Sequence, residues 1–331
     1  MPSRIVAATP ASIARAAEHL RAGELVAFAT ETVYGLGADA GNPDAVHRIF
    51  AAKGRPSDHP VIVHVATIAQ AERWTREFPD GARKLAAAFW PGPLTLILPR
   101  AAHVGDAITG GQDSVGLRMT SHPVARQLLA AFATMGGDGI AAPSANRFGH
   151  VSPTTAQHVA DDLGDAVAMI VDGGACDVGI ESTIVAFTDG TPVLLRPGGI
   201  GVDELTRVLG MSPRAPDAQA PRAPGTHVSH YAPHAPARRV SSGALLREIA
   251  KLVENGGRVA VLARTVARPA EFGGAWLTAP SDTARYAHDL YANLRGLDVP
   301  GVTVIVVEDV PADASWLAVR DRLTRATNQD L

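Results

Sequence analysis

Side chains that suit anion binding recur at the ends of apolar segments in the first two thirds of the chain. TETVYGLGAD (30–39) follows an apolar run, KGRP (53–56) follows a helical pattern, and LLRPGG (194–199) carries Arg196. Arginine offers a two-pronged fork to a carboxylate or phosphate, and lysine offers a compact charge. In open α/β sheets, strand ends of this kind line a ligand crevice. The sequence therefore predicts a site for an anionic ligand along one edge of a sheet.

Taken one at a time, these motifs leave their chemistry open. Lys53 and Arg55 fit either a bound phosphate or the favourable positive charge of a helix C-terminus. Arg118, on an otherwise apolar strand with Ser114 on the same face, fits either an internal carboxylate or the carboxylate of a ligand. Arg196 alone fits a surface ion pair. The repetition of hydroxyls and cations beside Gly or Pro favours the ligand interpretation.

The loop APSANRFGHVSPT (142–154) has the most informative composition. It ends a predicted strand and carries Ser144 and Ser152. It is expected to open a helix at Pro153, where hydroxyls and free backbone N–H groups favour an anion. Ser144 is not predicted to be a nucleophile, because its neighbours are not G-x-S-x-G and no base partner is evident.

Pattern and composition exclude several kinds of cofactor site. Gly35 and Gly37 follow a strand, but the third position of a dinucleotide fingerprint is Ala40. No G-x-x-x-x-G-K-[ST] phosphate loop occurs. Cys176 is the only cysteine, which excludes an intramolecular disulfide and a cysteine-based zinc site.

Apolar β-rich runs alternate with helical patterns from residue 25 to about 210, which is typical of one large α/β domain. Strands are predicted over 25–29, 61–65, 94–99, 115–119, 140–142, 167–171, 183–187 and 193–195. Helices are predicted over 44–52, 82–89, 123–133, 155–163 and 203–209. Asn42-Pro43 and Ser152-Pro153 offer N-cap chemistry for two of them.

The composition changes at residues 212–236, which are rich in Pro and Ala and are predicted to form an extended linker. Beyond it, helices over 245–254, 283–295 and 316–327 and strands over 259–263 and 302–307 predict a smaller α/β unit. The predicted organisation is a large domain at 1–211, the linker at 212–236 and a small domain at 237–331. A length of 331 residues with 46% apolar content fits two folded domains.

Net charge and the terminus carry less information. The formal net charge of −3 gives no overall attraction to nucleic acid, although a local basic patch stays open. No apolar run approaches the roughly 20 residues of a membrane span, and the N-terminus lacks the pattern of a signal peptide. A cytoplasmic protein without a membrane partner is expected.

The ordered motifs resemble one family, the threonylcarbamoyl-AMP synthases or YrdC-like family, in its two-domain form. The similarity runs in order through TETVYGLGADA, KGRP, FWPGPLT, VGLRM, APSAN, SPT, DGG, ESTIV and RPG, and then through HYAP in the linker. The resemblance implies an α/β fold in which a large twisted mixed sheet with flanking helices forms the catalytic domain. A smaller Rossmann-like α/β domain would follow at the C-terminus.

The resemblance implies a nucleotidyltransferase that joins L-threonine, bicarbonate or CO2, and ATP into threonylcarbamoyl-AMP and releases pyrophosphate. The product would serve the threonylcarbamoyladenosine modification of tRNA. The implied partners are the three substrates, a downstream tRNA threonylcarbamoyl transferase complex and a weak tRNA contact. Mg²⁺ is expected as a cofactor on the ATP triphosphate, and no protein metal site is expected.

The resemblance also assigns roles to single residues. Lys53 and Arg55 are the implied catalytic pair at the ATP phosphates. The implied ATP-binding residues are Arg55, His59, Ser114, Ser144, Ser152, Arg196 and Tyr231. The implied threonine-binding residues are Thr32, His64, Arg118, Ala142 and Ser182, with Arg118 taking the threonine carboxylate.

Three further expectations depend on the resemblance. Gly35 and Gly37 would let the backbone turn closely past a small substrate. Glu31 would orient either Thr32 or a neighbouring cation. The HYAP segment, with Tyr231, would fold over the nucleotide as a mobile lid.

The linker histidines do not read as a metal site, because His227, His230 and His234 are irregularly spaced and no fourth ligand is apparent. The chain departs from the family pattern at Ala29, His59 and Phe148, where Pro, Asn and Ser are usual. The last two departures bear on the phosphate-side contact and on the loop after Asn146.

The main alternative is a YrdC-like RNA- or tRNA-binding module without synthase activity. Lys53, Arg55, Arg118 and Arg196 would then contact phosphates, and binding would fall steeply with salt. The related carbamoyl-transfer chemistry of hydrogenase maturation is disfavoured, because no zinc-finger or acylphosphatase segment is seen.

Overall fold

The computed structural model describes residues 4–187, 189–226 and 230–328. These residues divide into two compact units. The first unit contains the described residues up to 148 together with 153–226, and the second contains 149–152 together with the described residues from 230 onwards. The predicted domain limits at 211 and 236 stay a prediction.

The first unit is built on a ten-stranded mixed sheet. Its strands are β1 (Ile5–Ala7), β2 (Val26–Phe28), β3 (Gly35–Asp39), β4 (Ile62–His64), β5 (Leu94–Pro99), β6 (Ser114–Arg118), β7 (Ile140–Ala141), β8 (Met169–Asp172), β9 (Thr183–Ala186) and β10 (Val193–Arg196). Their order across the sheet is β1-β8-β2-β3-β7-β4-β6-β5-β9-β10. The large mixed sheet expected from the resemblance is confirmed.

Eight α-helices flank this sheet. They are α1 (Pro10–Arg21), α2 (Pro43–Lys53), α3 (Ile68–Trp74), α4 (Asp80–Phe89), α5 (Asp106–Thr109), α6 (Pro123–Thr134), α7 (Ala156–Leu163) and α8 (Val202–Leu209). Both faces of the sheet are buried. Val26 and Phe28 of β2 belong to the apolar cluster that includes α1 and α6, whereas Ala27 between them belongs to the cluster on the opposite face. This alternation follows from the two-residue period of a strand.

Residues 35–39 form strand β3 and not the turn that was expected there. β3 pairs antiparallel with β2, with Gly35 opposite Phe28 and Gly37 opposite Val26. A Cβ atom added to Gly37 would lie 2.8 Å from the Phe28 ring and 3.1 Å from the carbonyl oxygen of Val26. The glycine is therefore required by close packing on β2, and the expected turn at these glycines is wrong.

The two N-cap predictions have different outcomes. Asn42 caps α2, because its side chain accepts hydrogen bonds from the backbone N–H groups of Asp44 and Ala45. No helix opens at Pro153, since α7 begins at Ala156 and its cap is Thr155, whose hydroxyl accepts from the N–H of His158. The prediction of a helix at Pro153 is wrong.

The second unit contains a four-stranded parallel sheet in the order β11-β14-β12-β13. Its strands are β11 (Ala237–Val240), β12 (Val259–Ala263), β13 (Trp276–Thr278) and β14 (Val304–Glu308), and its helices are α9 (Leu245–Glu254), α10 (Thr283–Leu297) and α11 (Leu317–Thr327). Helices α9, α10 and α11 follow β11, β13 and β14, and this parallel sheet with its helices confirms the smaller Rossmann-like fold.

The carboxyl edge of this small sheet holds a carboxylate of the chain itself. The buried Glu308 accepts hydrogen bonds from the backbone N–H groups of Arg264, Thr265 and Val266 and from the Ser242 hydroxyl. Burial raises the pKa of Glu308, but these hydrogen bonds and one from the Thr265 hydroxyl hold it at about 2. Parallel sheets commonly bind ligands at this edge, so Glu308 fills the position that an anion would take.

Among the described residues, no helix is both long enough and apolar enough to cross a membrane.

Candidate functional site

Three predicted threonine-binding residues meet at the ends of strands in the first unit. His64 ends β4 and Arg118 ends β6, and the two residues lie opposite each other in the parallel β4–β6 ladder. Thr32 lies in the segment between β2 and β3, and its hydroxyl accepts a hydrogen bond of 2.8 Å from Arg118 Nη2. All three side chains are buried. The structure thus brings Thr32, His64 and Arg118 together.

Glu31 pairs with Arg118, which decides between the two roles left open for it. Its Oε1 lies 2.9 Å from Arg118 Nη2, and its Oε2 accepts a hydrogen bond from the Thr120 hydroxyl. Burial raises the pKa of Glu31, but the charge of Arg118 and the hydrogen bonds from Thr120 and Arg118 hold it at about 2. Glu31 is therefore a carboxylate, and it faces the predicted substrate-binding arginine.

His64 is a neutral imidazole. Burial and the nearby charge of Arg118 lower its pKa to about 3, against an opposing effect of Glu31. Its Nδ1 is buried and makes no hydrogen bond within the described part of the chain. His64 can therefore offer a hydrogen bond to a ligand without adding charge.

Strand register extends this group into a row of polar side chains across neighbouring strands. Thr95 of β5 lies opposite Arg118, and its hydroxyl shares a hydrogen bond of 2.8 Å with the Ser182 hydroxyl. Arg196, at the end of β10, donates from Nη2 to the Ser182 hydroxyl at 3.1 Å and from Nε to the Ser182 carbonyl at 3.1 Å. The row therefore runs from His64 through Arg118 and Thr95 to Ser182 and Arg196.

Ala142 lies next to strand β4, level with Ile62 and thus two residues along the strand from His64. It follows β7, whose residue Ile140 is opposite His64 in the antiparallel β4–β7 ladder. Its backbone N–H donates to the carbonyl of Ile62 at 3.0 Å. The side chain of Ala142 also packs near Gly35, where an added Cβ atom would approach it to 3.3 Å.

Lys53 is fixed against the loop that follows β7. Its ammonium group donates hydrogen bonds of 2.6 Å to the carbonyl oxygens of Ser144 and Asn146. Burial, together with the charge of Arg55, lowers the pKa of Lys53 well below its usual range. Arg55 donates to the carbonyl of Pro60 at 2.8 Å. The two predicted catalytic cations thus lie beside the loop that carries Ser144.

The two departures from the family pattern contact each other. The His59 ring centroid lies 5.4 Å from that of Phe148, with the planes inclined by 54°. Phe148 also donates its backbone N–H to the carbonyl of Lys53 at 2.8 Å. A substitution of either ring would therefore change the packing of the other ring and the surroundings of the segment that carries Lys53.

Ser114 lies apart from the threonine-side residues. It is buried at the start of β6, opposite Pro99, whereas Arg118 ends the same strand. Four residues of a strand span about 13 Å. Any role for Ser114 in ATP binding therefore belongs to a different part of the site from Arg118.

Ser152 and Tyr231 belong to the second unit. The carbonyl of Ser152 accepts a hydrogen bond of 3.4 Å from Arg295 Nε. Tyr231 is buried and has a positive φ of 62°, with the Arg322 guanidinium 5.3 Å from its ring centroid and the Tyr291 ring at 5.7 Å. Side chains of α10 and α11 therefore hold this tyrosine. His227 lies outside the described residues.

Sequence reasoning missed two of the hydroxyls that support the row. Thr120 holds Glu31, and Thr95 links Arg118 to Ser182. Thr95 is a polar residue within the apolar strand LTLILP, a signal that marks a buried hydrogen bond. No comparable signal marks Thr120, which follows a strand end in the way that many surface threonines do.

Comparison with known proteins places the chain in a family. The family model Sua5_yciO_yrdC, described as telomere recombination, matches residues 18–198, which is more than half of the chain. The chain belongs to this family. A second model, described as the C-terminal domain of threonylcarbamoyl-AMP synthase, matches residues 200–328.

Named relatives match over nearly the full length. The threonylcarbamoyl-AMP synthase of Pyrococcus abyssi is 42% identical over 94% of this chain and 93% of its own. That of Bacillus subtilis is 42% identical over 95% of this chain and 92% of its own. The crystal structure of P. abyssi Sua5 complexed with L-threonine is similar with a TM-score of 0.90 and 40% identity, covering 98% of this chain and 97% of that one.

Proposed function

We propose that this chain is a threonylcarbamoyl-AMP synthase, which uses L-threonine, bicarbonate or CO2, and ATP and releases pyrophosphate. The observation that carries the proposal is the buried Arg118, hydrogen-bonded to Thr32 beside a neutral His64. It occurs in a chain that is 40% identical over nearly its whole length to a Sua5 complexed with L-threonine. The comparisons support this enzyme and offer no support for an RNA-binding module without synthase activity.

The threonine end of the site is the row formed by Thr32, His64, Arg118 and Ser182, with the backbone at Ala142. Arg118 takes the substrate carboxylate through charge-assisted hydrogen bonds. Neutral His64 and the Ser182 hydroxyl supply hydrogen bonds that add no charge. A threonine bound here has its amino group held at a fixed position, which is what attack on CO2 requires.

The nucleotide end is formed by the cations and by the hydroxyls around them. Lys53, Arg55 and Arg196 stabilise the charge of the phosphates, because carbonyl oxygens hold all three in place before ATP arrives. We assign further ATP contacts to His59, Ser114 and Ser144, and the roles of Ser152 and Tyr231 stay predictions.

The chemistry needs no protein nucleophile. The α-ammonium group of threonine gives one proton to water, and the neutral nitrogen then attacks the carbon of CO2 and loses a second proton to water, which leaves a carbamate. A carbamate oxygen then attacks the α-phosphorus of ATP, the bond to the β-phosphate oxygen breaks, and pyrophosphate leaves. Positioning and charge stabilisation are the contributions that the residues of the row can make.

Magnesium is part of this proposal as a component of the ATP substrate. Mg²⁺ prefers phosphate oxygens and water to an all-protein cage. Throughout the described ranges, no three His, Cys, Asp or Glu side chains are grouped closely enough to hold a metal ion. We assign the ion to the oxygens of the triphosphate and to water.

The product is a mixed anhydride of a carbamate and a phosphate, which water destroys. We propose that it acts in the cytoplasm and is passed to a tRNA threonylcarbamoyl transferase complex, with at most a weak direct contact to tRNA. Net charge agrees with this, because −3 gives no general attraction to a polyanion.

The test is pyrophosphate release by the purified chain when each substrate is left out in turn. Release should require ATP, L-threonine and bicarbonate together.

Arg118→Ala should raise the KM for threonine by about 10- to 100-fold, the worth of a charge-assisted hydrogen bond, and should change the KM for ATP much less. Arg21→Ala, which removes an arginine paired with Asp39, is the matched control and should change neither KM. Pyrophosphate release without threonine would contradict the proposal.

A further inference from the structure

Glu31, the partner of Arg118 in a buried ion pair, is the residue to which the proposed reaction gives no role. Glu31 is 4% exposed and Arg118 is 5% exposed, and their Oε1 and Nη2 atoms are 2.9 Å apart. The pair is neutral as a whole. A ligand that carried only a carboxylate would add an uncompensated negative charge beside Glu31, which is costly in a buried site.

Arg118 and Glu31 each have a buried polar atom that can still make a hydrogen bond. Arg118 Nε and Glu31 Oε1 are buried, and apart from the Oε1–Nη2 ion pair neither has a hydrogen-bond partner among the described residues. Buried polar atoms are rarely left in this state unless a ligand or water completes them. The Nε–H group is a donor suited to a carboxylate, and Oε1 is an acceptor suited to an ammonium group.

The two charges match the two charged groups of an α-amino acid, which one carbon atom separates. We propose that Glu31 binds the α-ammonium group of threonine while Arg118 binds its carboxylate, so that the ion pair selects a zwitterion. This inference rests on the proposed function. It makes Glu31 a specificity-determining residue that admits amino acids and rejects carboxylic acids that lack the α-ammonium group.

Recognition is a better role for Glu31 than proton transfer. Arg118 and Thr120 hold the pKa of Glu31 at about 2, so it stays ionised and is a poor base for an ammonium group. A carboxylate of fixed charge is what a selective ammonium contact needs. The hydrogen bond from Thr120 occupies Oε2, so Oε1 is the oxygen that still has acceptor capacity.

A simpler role would be to hold Arg118 in position, and the two roles predict different results. If Glu31 only positions Arg118, its loss weakens every ligand that carries a carboxylate. If Glu31 binds the ammonium group, its loss weakens threonine. The same loss relieves the repulsion that disfavours (R)-3-hydroxybutyrate, which is threonine without its amino group.

The experiment measures the dissociation constants of both ligands by calorimetry, for the full chain and for Glu31→Gln. Threonine binding should weaken by about tenfold or more, the worth of a charged hydrogen bond. Binding of (R)-3-hydroxybutyrate should stay the same or tighten. Asp39→Asn is the matched control, because Asp39 is also a buried carboxylate paired with an arginine, and neither ligand should change. Equal weakening of both ligands in Glu31→Gln would overturn the inference.

A measurement on the unaltered chain keeps the test decisive if Glu31→Gln does not fold. The unaltered chain should bind (R)-3-hydroxybutyrate at least about tenfold more weakly than threonine, and equal affinity would overturn the inference. The proposed function is judged separately, by threonine-dependent pyrophosphate release from the unaltered chain. Release of pyrophosphate without selectivity for the amino group would leave the function standing and remove the role of Glu31.

Discussion

Arg118 organises the threonine end of the site at the scale of single residues. It donates to Thr32 and pairs with Glu31, and its charge adds to burial in lowering the pKa of His64, so side chains from two separate segments meet at one guanidinium. A partner for Arg118 was expected, since an arginine in a buried strand is rarely unpaired. The sequence left open whether that partner was internal or a ligand, and the structure shows that an internal carboxylate is present.

His64 should make stability depend on pH. Its pKa is about 3 in the folded chain against an ordinary 6.5. Below pH 6.5 the unfolded chain therefore binds a proton that the folded chain does not. Stability is full above pH 6.5 and falls as the pH drops towards 3, by up to about 1.4 kcal/mol per pH unit.

The measurement is the melting temperature of the unaltered chain and of His64→Gln between pH 7 and pH 5. This range stays above the window in which Glu31 titrates, between about 4.5 and 2. The melting temperature of the unaltered chain should fall further on acidification than that of the variant. Parallel curves would show that His64 is not held neutral by the fold.

The residue types predicted several single members of this site but not the pairs that they form. The cations of KGRP and VGLRM and the serine of ESTIV are visible because their charge or hydroxyl interrupts an apolar pattern. The Glu31–Arg118 and Thr95–Ser182 pairs could not be predicted, because they join positions 87 residues apart in each case. Only the strand order of the sheet brings such positions together.

Strand β3 shows why element prediction failed at the opening motif. Two glycines in GLGAD lower the intrinsic preference for a strand, so the segment reads as a turn. Pairing with β2 and β7 and close packing on Phe28 override that preference. Two apolar strands without glycine, β5 at 94–99 and β12 at 259–263, were predicted with their observed limits.

Replacing Gly37 with alanine should therefore destabilise the first unit. The new Cβ atom would lie 2.8 Å from the Phe28 ring, 3.0 Å from an Ile140 methyl carbon and 3.1 Å from a backbone oxygen, so the sheet would have to shift. The expected cost is about 1–3 kcal/mol of unfolding free energy, measured by chemical denaturation.

Gly116→Ala is the control for this prediction. Gly116 is also a buried strand glycine, in β6, but a Cβ atom there would have its nearest contact at an ordinary 3.4 Å, with Ile62. Its unfolding free energy should change by less than about 1 kcal/mol. Equal losses of unfolding free energy in the two variants would show that the close approach of β3 to β2 is not the reason for glycine at position 37.

At the scale of the whole molecule, the chain contains two α/β units, and the strand ends of their two sheets hold different groups. In the first unit, a mixed sheet gathers cations and hydroxyls into a buried row. In the second, the corresponding edge of the parallel sheet is filled by Glu308. Alternating strand and helix patterns predicted the α/β class of both units, whereas the large mixed sheet was an implication of the family resemblance. The pairing order of fourteen strands depends on long-range contacts that no pattern encodes.

The most direct test of the central claim follows atoms from substrates into product. The purified chain is incubated with ATP, ¹³C-labelled bicarbonate and ¹⁵N-labelled L-threonine, and the nucleotides are analysed by mass spectrometry. The account predicts an adenylate that carries both labels, formed together with one pyrophosphate per molecule. ATP cleavage without an adenylate that contains both the bicarbonate carbon and the threonine nitrogen would contradict it.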